Sequence, residues 1–380
     1  MSFQKKNVAV PNRAAVDRNS GSPQSLRGPP AGSAPHPSIP GRTPRAPPTA
    51  TTDARNAPNV PQALQPVPNT KPSLLQSSTP TVSSGCFDFD KLLGHNGIPT
   101  GTLTLLQEES TTDYASILIR MFAAQGCIDR RNGGSEVAVV GANDAWGRQL
   151  PGESDKKSRS RDPSSKAGSG AMKIAWRYGF NSEVERKEQL AENNTATFDL
   201  TKRLGGPEIS KIRYLKPDKS IVAEIKKLAA TAASENSILR VCIPTFLHPA
   251  IYDKQMADSD YVIGLFTQLR ALTREYKRNL VIIVSLPLVL YPKSSPLTRW
   301  MEILADCVLD FFPFDVKVQE REFQGLVNVS KLPCLSDRGH MLVTQSEYAF
   351  RVTKRTFEID EWSIPVEEDE GEKKEDALAF

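Results

Sequence analysis

The stretch TGTLTLLQEESTTDYASILIRMF, beginning at Thr100, sets Glu108, Glu109, Asp113 and Tyr114 around Ser110, Thr111 and Thr112, between an apolar run and a helical pattern. A strand, a tight loop and a helix in that order make an anion cradle. In the GxxxxGK[ST] pattern, glycines let successive N–H groups turn toward phosphates, the lysine neutralises charge, and the Ser or Thr holds Mg²⁺. Here carboxylates stand where the glycines and lysine belong. Two like charges about 4 Å apart repel by about 4 kcal/mol at an effective dielectric of 20, so this loop disfavours a phosphate. A helix N-terminus still attracts negative charge, and acidic side chains satisfy it from within. The loop therefore reads as a self-capped helix start with no ligand, and Ser110, Thr111 and Thr112 as further capping or hydrogen-bonding groups.

The elements that must position this loop follow from periodicity. TLTLLQ (102–107) is a short apolar run of the kind buried on both faces of a parallel sheet. After Thr112, Tyr114, Ile117, Leu118, Met121 and Phe122 recur at helical spacing. EVAVVG (136–141), SILRVCI (237–243), LVIIVSL (280–286) and CVLDFF (307–312) are further strands. The helix before LVIIVSL gathers Val262, Leu265, Phe266, Leu269 and Leu272 on one side. GLVNVSKL and EYAFRVTKR predict a terminal antiparallel pair. Strand–helix alternation of this kind predicts an α/β fold with a mostly parallel central sheet covered by helices on both faces. The polar, breaker-rich stretches 147–170 and 181–197 read as surface loops, and MKIAWRYGF between them as a docked segment.

Composition confines the folded part. Residues 1–82 carry more than half of the 29 prolines with few aromatics, so they read as a disordered basic arm that buries too little apolar surface to fold. Nine basic residues against two acidic ones give that arm +7, and seven acids against two lysines give the tail from Val366 −5. The chain's +4 thus leaves only +2 on the residues between, weak support for nucleic-acid binding by the core alone. The domain is expected over 83–363, with an acidic disordered tail over 364–380. Cys86, Cys127, Cys242, Cys307 and Cys334 are odd in number and set mostly among apolar residues, which predicts reduced, inert thiols. The four histidines make no metal-ligand spacing with them. The apolar run LVIIVSLPLVL is too short for a bilayer and is interrupted by Pro287. A cytoplasmic and nuclear protein with no membrane partner is the expectation.

The approach to the loop, SGCFDFDKLLGHNGIPTGTLTLL, resembles that of RecA/KaiC-type ATPases through Asp90, Leu92, Leu93, Gly94, Gly97, Ile98, Pro99 and Gly101. In the register this resemblance implies, Glu108 stands at the first motif glycine, Asp113 at the second, Tyr114 at the lysine and Ala115 at the Ser/Thr. Pro244 and Thr245 stand where a Walker B strand would end in its Mg²⁺-orienting acid, while Asp253, Asp258 and Asp260 read as turn and N-cap residues. Over most of 83–363 the chain resembles the PAXNEB family, the fourth subunit of Elongator, on FDFDKLLG, IPTGTLTLLQEES, YASILIRMFAAQG, KIAWRY, TRWMEILADCVLDFFPF and RVTKRTFEI.

That resemblance implies a RecA-like subunit assembling with two sister RecA-like subunits into a heterohexameric ring. The ring joins the Elongator catalytic subcomplex, which modifies tRNA wobble uridines at carbon-5. It implies tRNA binding by the ring and no catalytic residue here. No cofactor is expected, ATP at ring interfaces being the remaining option. The loop 108–114 then becomes a candidate subunit boundary. Lys156, Lys157, Arg159 and Arg161, with Arg351, Lys354 and Arg355, are the candidate tRNA contacts, although solvated loops commonly look the same. The competing reading is an active RecA/KaiC-type ATPase with unusual phosphate ligands. A DNA-strand-exchange relative would need basic loops on the domain that the sequence lacks.

Overall fold

A computed structural model describes residues 65–75, 78–154, 195–315, 323–333 and 347–362. Nine strands form the main sheet: β1 (Leu103–Glu108), β2 (Ser135–Val140), β3 (Arg213–Leu215), β4 (Ile238–Ile243), β5 (Leu280–Pro287), β6 (Cys307–Pro313), β7 (Gly325–Lys331), β8 (Tyr348–Val352) and β9 (Phe357–Glu361). Their order is β3-β2-β4-β5-β1-β6-β7-β8-β9. The six from β3 to β6 are parallel, and β7, β8 and β9 extend the sheet antiparallel. The central strands read as unbroken apolar runs because both their faces are covered: every residue of β1 and β4 is buried.

The helix α1 (Tyr114–Arg131) lies on one face. The helices α2 (Ile221–Ser234), α3 (Ser259–Glu275) and α4 (Pro296–Leu304) lie on the other. The α3 stripe is as its spacing predicts, with Val262, Leu265, Phe266, Leu269 and Leu272 all buried. On α1 the buried surface is wider than the predicted stripe and takes in Ala123, Ala124, Gln125, Gly126 and Asp129. The reason is a second layer. Val67 is buried, and Asn69 donates to the carbonyls of Asp129 (2.9 Å) and Gly133 (2.9 Å), closing the end of α1. Pro151–Glu153 pairs with Phe198–Arg203 in a two-stranded ribbon, whose Phe198 enters the same core.

Three sequence expectations change accordingly. Folded structure begins before residue 83, since Val67, Ser73, Thr79, Thr81 and Val82 are buried. The 147–170 loop opens with an ordered strand, and 181–197 closes with Thr195 buried. The expected terminal pair is present, but the strand predicted over EYAFRVTKR stops at Val352: the chain turns at Thr353–Thr356, so that β9 folds back on β8. MKIAWRYGF lies outside the described residues.

The approach segment explains its own sequence. Its helix Phe87–Leu92 buries Phe89, Asp90 and Leu92. Gly97 (φ +140°) and Gly101 (φ +74°) occupy backbone conformations that favour glycine, and a Cβ at either would sit 2.8 Å from a backbone carbonyl oxygen, that of Val82 or of Lys277. Asp90 accepts from the Ser83 hydroxyl (2.7 Å) and the Ser84 N–H (2.8 Å), stapling the helix to the preceding turn. Burial pushes its carboxyl up to about 6, against the opposing pull of those donors. A carboxyl raised in the folded state holds its proton where the unfolded chain has released it. Stability from this group is therefore full below about pH 4 and falls as pH rises through about 6, by up to about 3 kcal/mol. Thermal melts across pH 4–6 should show that downward slope, and Asp90→Asn should flatten it.

Candidate functional site

The strand β1 ends at Glu108, and α1 starts six residues later. Glu108 is held on both sides in the sheet: it stands level with Pro287 of β5 and Phe311 of β6. Its carbonyl accepts from the Leu288 N–H (2.8 Å), and the Glu109 N–H donates to the Phe311 carbonyl (3.0 Å). So fixed, its side chain turns back under the helix. One carboxylate oxygen accepts from the Thr112 hydroxyl (2.5 Å) and the Tyr114 N–H (2.9 Å), the other from the Ala115 N–H (2.9 Å). Glu108 is 5% exposed.

Three donors hold this carboxylate, as they would a bound phosphate oxygen, while the nearby Asp113 charge opposes it. Burial pushes the Glu108 carboxyl up from the usual range, and the same three donors pull it down. The chain thus supplies its own anion to the helix N-terminus, and capping falls to Glu108 rather than Asp113. Asp113 occupies the N-cap position without a side-chain capping bond, and it pairs with Arg120 at 3.3 Å.

The remaining loop residues separate into two groups. Tyr114 turns its ring into the core, 4.9 Å from Phe350. At the residue that the resemblance aligns with the phosphate-binding lysine there is thus an apolar contact between α1 and β8. Glu109, Ser110 and Thr111 are exposed. Ser110 adopts φ +79°, a left-handed conformation of the kind the motif glycines would supply without strain.

Among the described residues β4 ends without a carboxylate, Pro244 and Thr245 following Ile243. After β4 the chain turns sharply: Thr245 (φ +45°) donates its N–H to the Ser285 hydroxyl (2.8 Å), and Phe246 enters the core against Tyr252 and Phe266. Asp253 precedes a 3₁₀ turn over Lys254–Ala257, Asp258 takes the N-cap position of α3, and Asp260 lies in its first turn. Asp310 of β6 is buried near the loop, yet it is level with Gln107, so it projects from the opposite sheet face to Glu108. Its Oδ2 is held by Lys293, Ser330 and Asn328, while its buried Oδ1 has no hydrogen-bond partner among the described residues. Among the described residues no cluster of His, Cys, Asp or Glu is arranged to hold a metal ion. The thiols of Cys86, Cys127, Cys242 and Cys307 are buried and unbridged, and burial pushes that of Cys127 up to about 12.

The sequence reading passed over a second polar centre. Arg240, in the middle of β4, is 1% exposed and pairs with Asp129 of α1 at 2.5 Å. It also donates to the Ser83 carbonyl (2.7 Å) and lies over the Phe122 ring at 4.7 Å. Gln125 donates to Asp129 (2.8 Å) and accepts from the Ala196 N–H (2.8 Å). A Cβ on Gly126 would come within 2.6 Å of the Arg240 side chain, so the α1 backbone approaches β4 closely here. One signal was available: a charged residue inside the strand ILRVCI.

Of the basic candidates, Lys156, Lys157, Arg159 and Arg161 lie outside the described residues. Arg351 is engaged across the hairpin by Glu358 (Nε to carboxylate, 3.0 Å). Lys354 and Arg355 sit at the turn, and the Arg355 side chain is 72% exposed, 4.0 Å from Asp199.

Sheet order, the position of α1 after β1 and the loop between them define a RecA-like α/β protein in which Glu108 bonds the first N–H groups of α1. A family model described as PAXNEB protein matches residues 63–379, and the chain belongs to that family. Among curated relatives, Elongator complex protein 4 of Saccharomyces cerevisiae is 30% identical over 348 residues, covering 78% of this chain and 76% of its own. The Schizosaccharomyces pombe protein of the same name is 28% identical over 319 residues, covering 76% and 86%. That of Mus musculus is 24% identical over 346 residues, covering 79% and 80%.

Proposed function

We propose that this chain is a non-catalytic RecA-like subunit of the Elongator complex, which supports tRNA wobble-uridine modification by assembling with two sister RecA-like subunits and offering basic surface to tRNA. The observation that carries this reading is the Glu108 carboxylate bonded to the Tyr114 and Ala115 N–H groups, in the place of a phosphate. The relatives' shared name supports membership of the complex. Any ATP in the assembly would then sit at boundaries to which sister subunits bring the phosphate-binding groups.

Because the Glu108 side chain is turned inward, a subunit boundary at this loop would use the exposed Glu109, Ser110 and Thr111. On the tRNA side, Lys354 and Arg355 are the exposed candidate cations among the described residues, and each phosphate contact contributes about one unit to the salt slope of binding. Glu109→Lys tests the boundary without touching the helix cap. The expected result is loss of most sister subunits from an affinity purification quantified by mass spectrometry, with the melting temperature of the chain unchanged. Undiminished recovery of both sister subunits would count against the boundary.

A further inference from the structure

The helix α4 leaves apolar surface in water. Trp300 and Ile303, one turn apart, are 48% and 51% exposed, and Arg299 shares their side of the helix. Beside them lies a cluster of cations. Lys331 of β7 donates to the Ile303 carbonyl (3.0 Å) and to that of Ala305, closing the end of α4. Burial pulls its ammonium down, and Arg270 and Arg274 of α3 are close enough to add to that fall. Asp306, 2.6 Å from Arg274, opposes them. An apolar ridge beside Arg270, Arg274 and Lys331, with Asp306 and Glu302 the neighbouring acids, keeps a positive margin that suits an occupant both acidic and apolar.

The chain carries such a segment. Residues 363–380, SIPVEEDEGEKKEDALAF, hold seven acids against two lysines, with Ile364 and Val366 before them and Leu378 and Phe380 after. The segment starts from a fixed point: the Trp362 N–H donates to the Glu347 carbonyl (2.6 Å), and its ring meets Phe323 at 5.5 Å. The three strand spacings from β9 to β6, which α4 precedes directly, come to about 15 Å. Eighteen residues span up to about 60 Å when extended, so the ridge is within reach.

We propose that the acidic C-terminal segment of this chain docks on the Trp300–Ile303 ridge, its carboxylates on the Arg270–Arg274–Lys331 side and its apolar residues against the two side chains. The contact is intramolecular and electrostatically held, so another acidic-apolar protein segment would compete for it. This inference is independent of the Elongator reading, since it concerns the opposite sheet face from Glu108.

Hydroxyl-radical footprinting of Trp300 in the full chain tests it. The variant Glu367→Lys, Glu368→Lys, Asp369→Lys and Glu370→Lys should lower the docked population by about tenfold, since each exposed ion contact is worth a fraction of a kcal/mol and four act together. Trp300 oxidation should accelerate in that variant, and also in wild type at about 0.5 M salt. Leu378→Ser with Phe380→Ser should accelerate it too, with charge unchanged. Equal oxidation in wild type and both variants would overturn the proposal. So would protection that disappears on dilution, because that result places a second copy on the ridge.

Discussion

Glu108→Ala is expected to destabilise the fold by about 2–4 kcal/mol, because two N–H groups and a hydroxyl at the start of α1 lose their acceptor in a site water reaches poorly. The groups are those of Tyr114, Ala115 and Thr112. Glu108→Gln should cost less: it keeps one carbonyl oxygen for one donor and sets its amide N–H₂ against the others. A denaturant titration checks the ranking through the midpoint, with the slope unchanged if only native contacts are lost. A surface carboxylate in the same loop behaves differently. Glu109 faces solvent, and its replacement should change stability by no more than about 0.5 kcal/mol.

The second large effect is expected at the ion pair beneath α1. Arg240→Met strands Asp129 in a site where it is 6% exposed, and should cost about 3–5 kcal/mol. The double variant Arg240→Met with Asp129→Leu should recover much of that loss, because the buried charge is removed along with its partner. Chemical denaturation of the two singles and the double gives the coupling between them directly. Recovery should be incomplete, since Arg240 also holds the Ser83 carbonyl, and that bond ties the approach segment to the sheet.

The sheet was legible in the sequence because its central strands are covered on both faces: LTLLQE, ILRVCI and LVIIVSLP allow few other readings. The apolar stripe of α3 was legible for the same reason, with one face in the core and one in water. The loop was legible as chemistry but not as geometry. Sequence alone shows acids in place of glycines, yet whether Glu108 or Asp113 caps α1 depends on where β1 stops, and a one-residue shift would send the side chain to the other face. The width of burial on α1 was hidden, since it is set by residues distant in sequence, Val67 and Phe198 among them. The hairpin turn at Thr353–Thr356 was hidden as well, because TKRT contains neither glycine nor proline to mark it.

The central claim is that the helix N-terminus is already occupied by a carboxylate, and its most direct test is calorimetric titration of the isolated chain, wild type and Glu108→Gly, with inorganic phosphate and with Mg-ATP. The account predicts no binding heat from wild type at micromolar to low millimolar ligand, and weak phosphate binding that raises the melting temperature of Glu108→Gly, whose freed N–H groups seek an anion. Micromolar binding of Mg-ATP by the wild-type chain alone, with turnover, would contradict it.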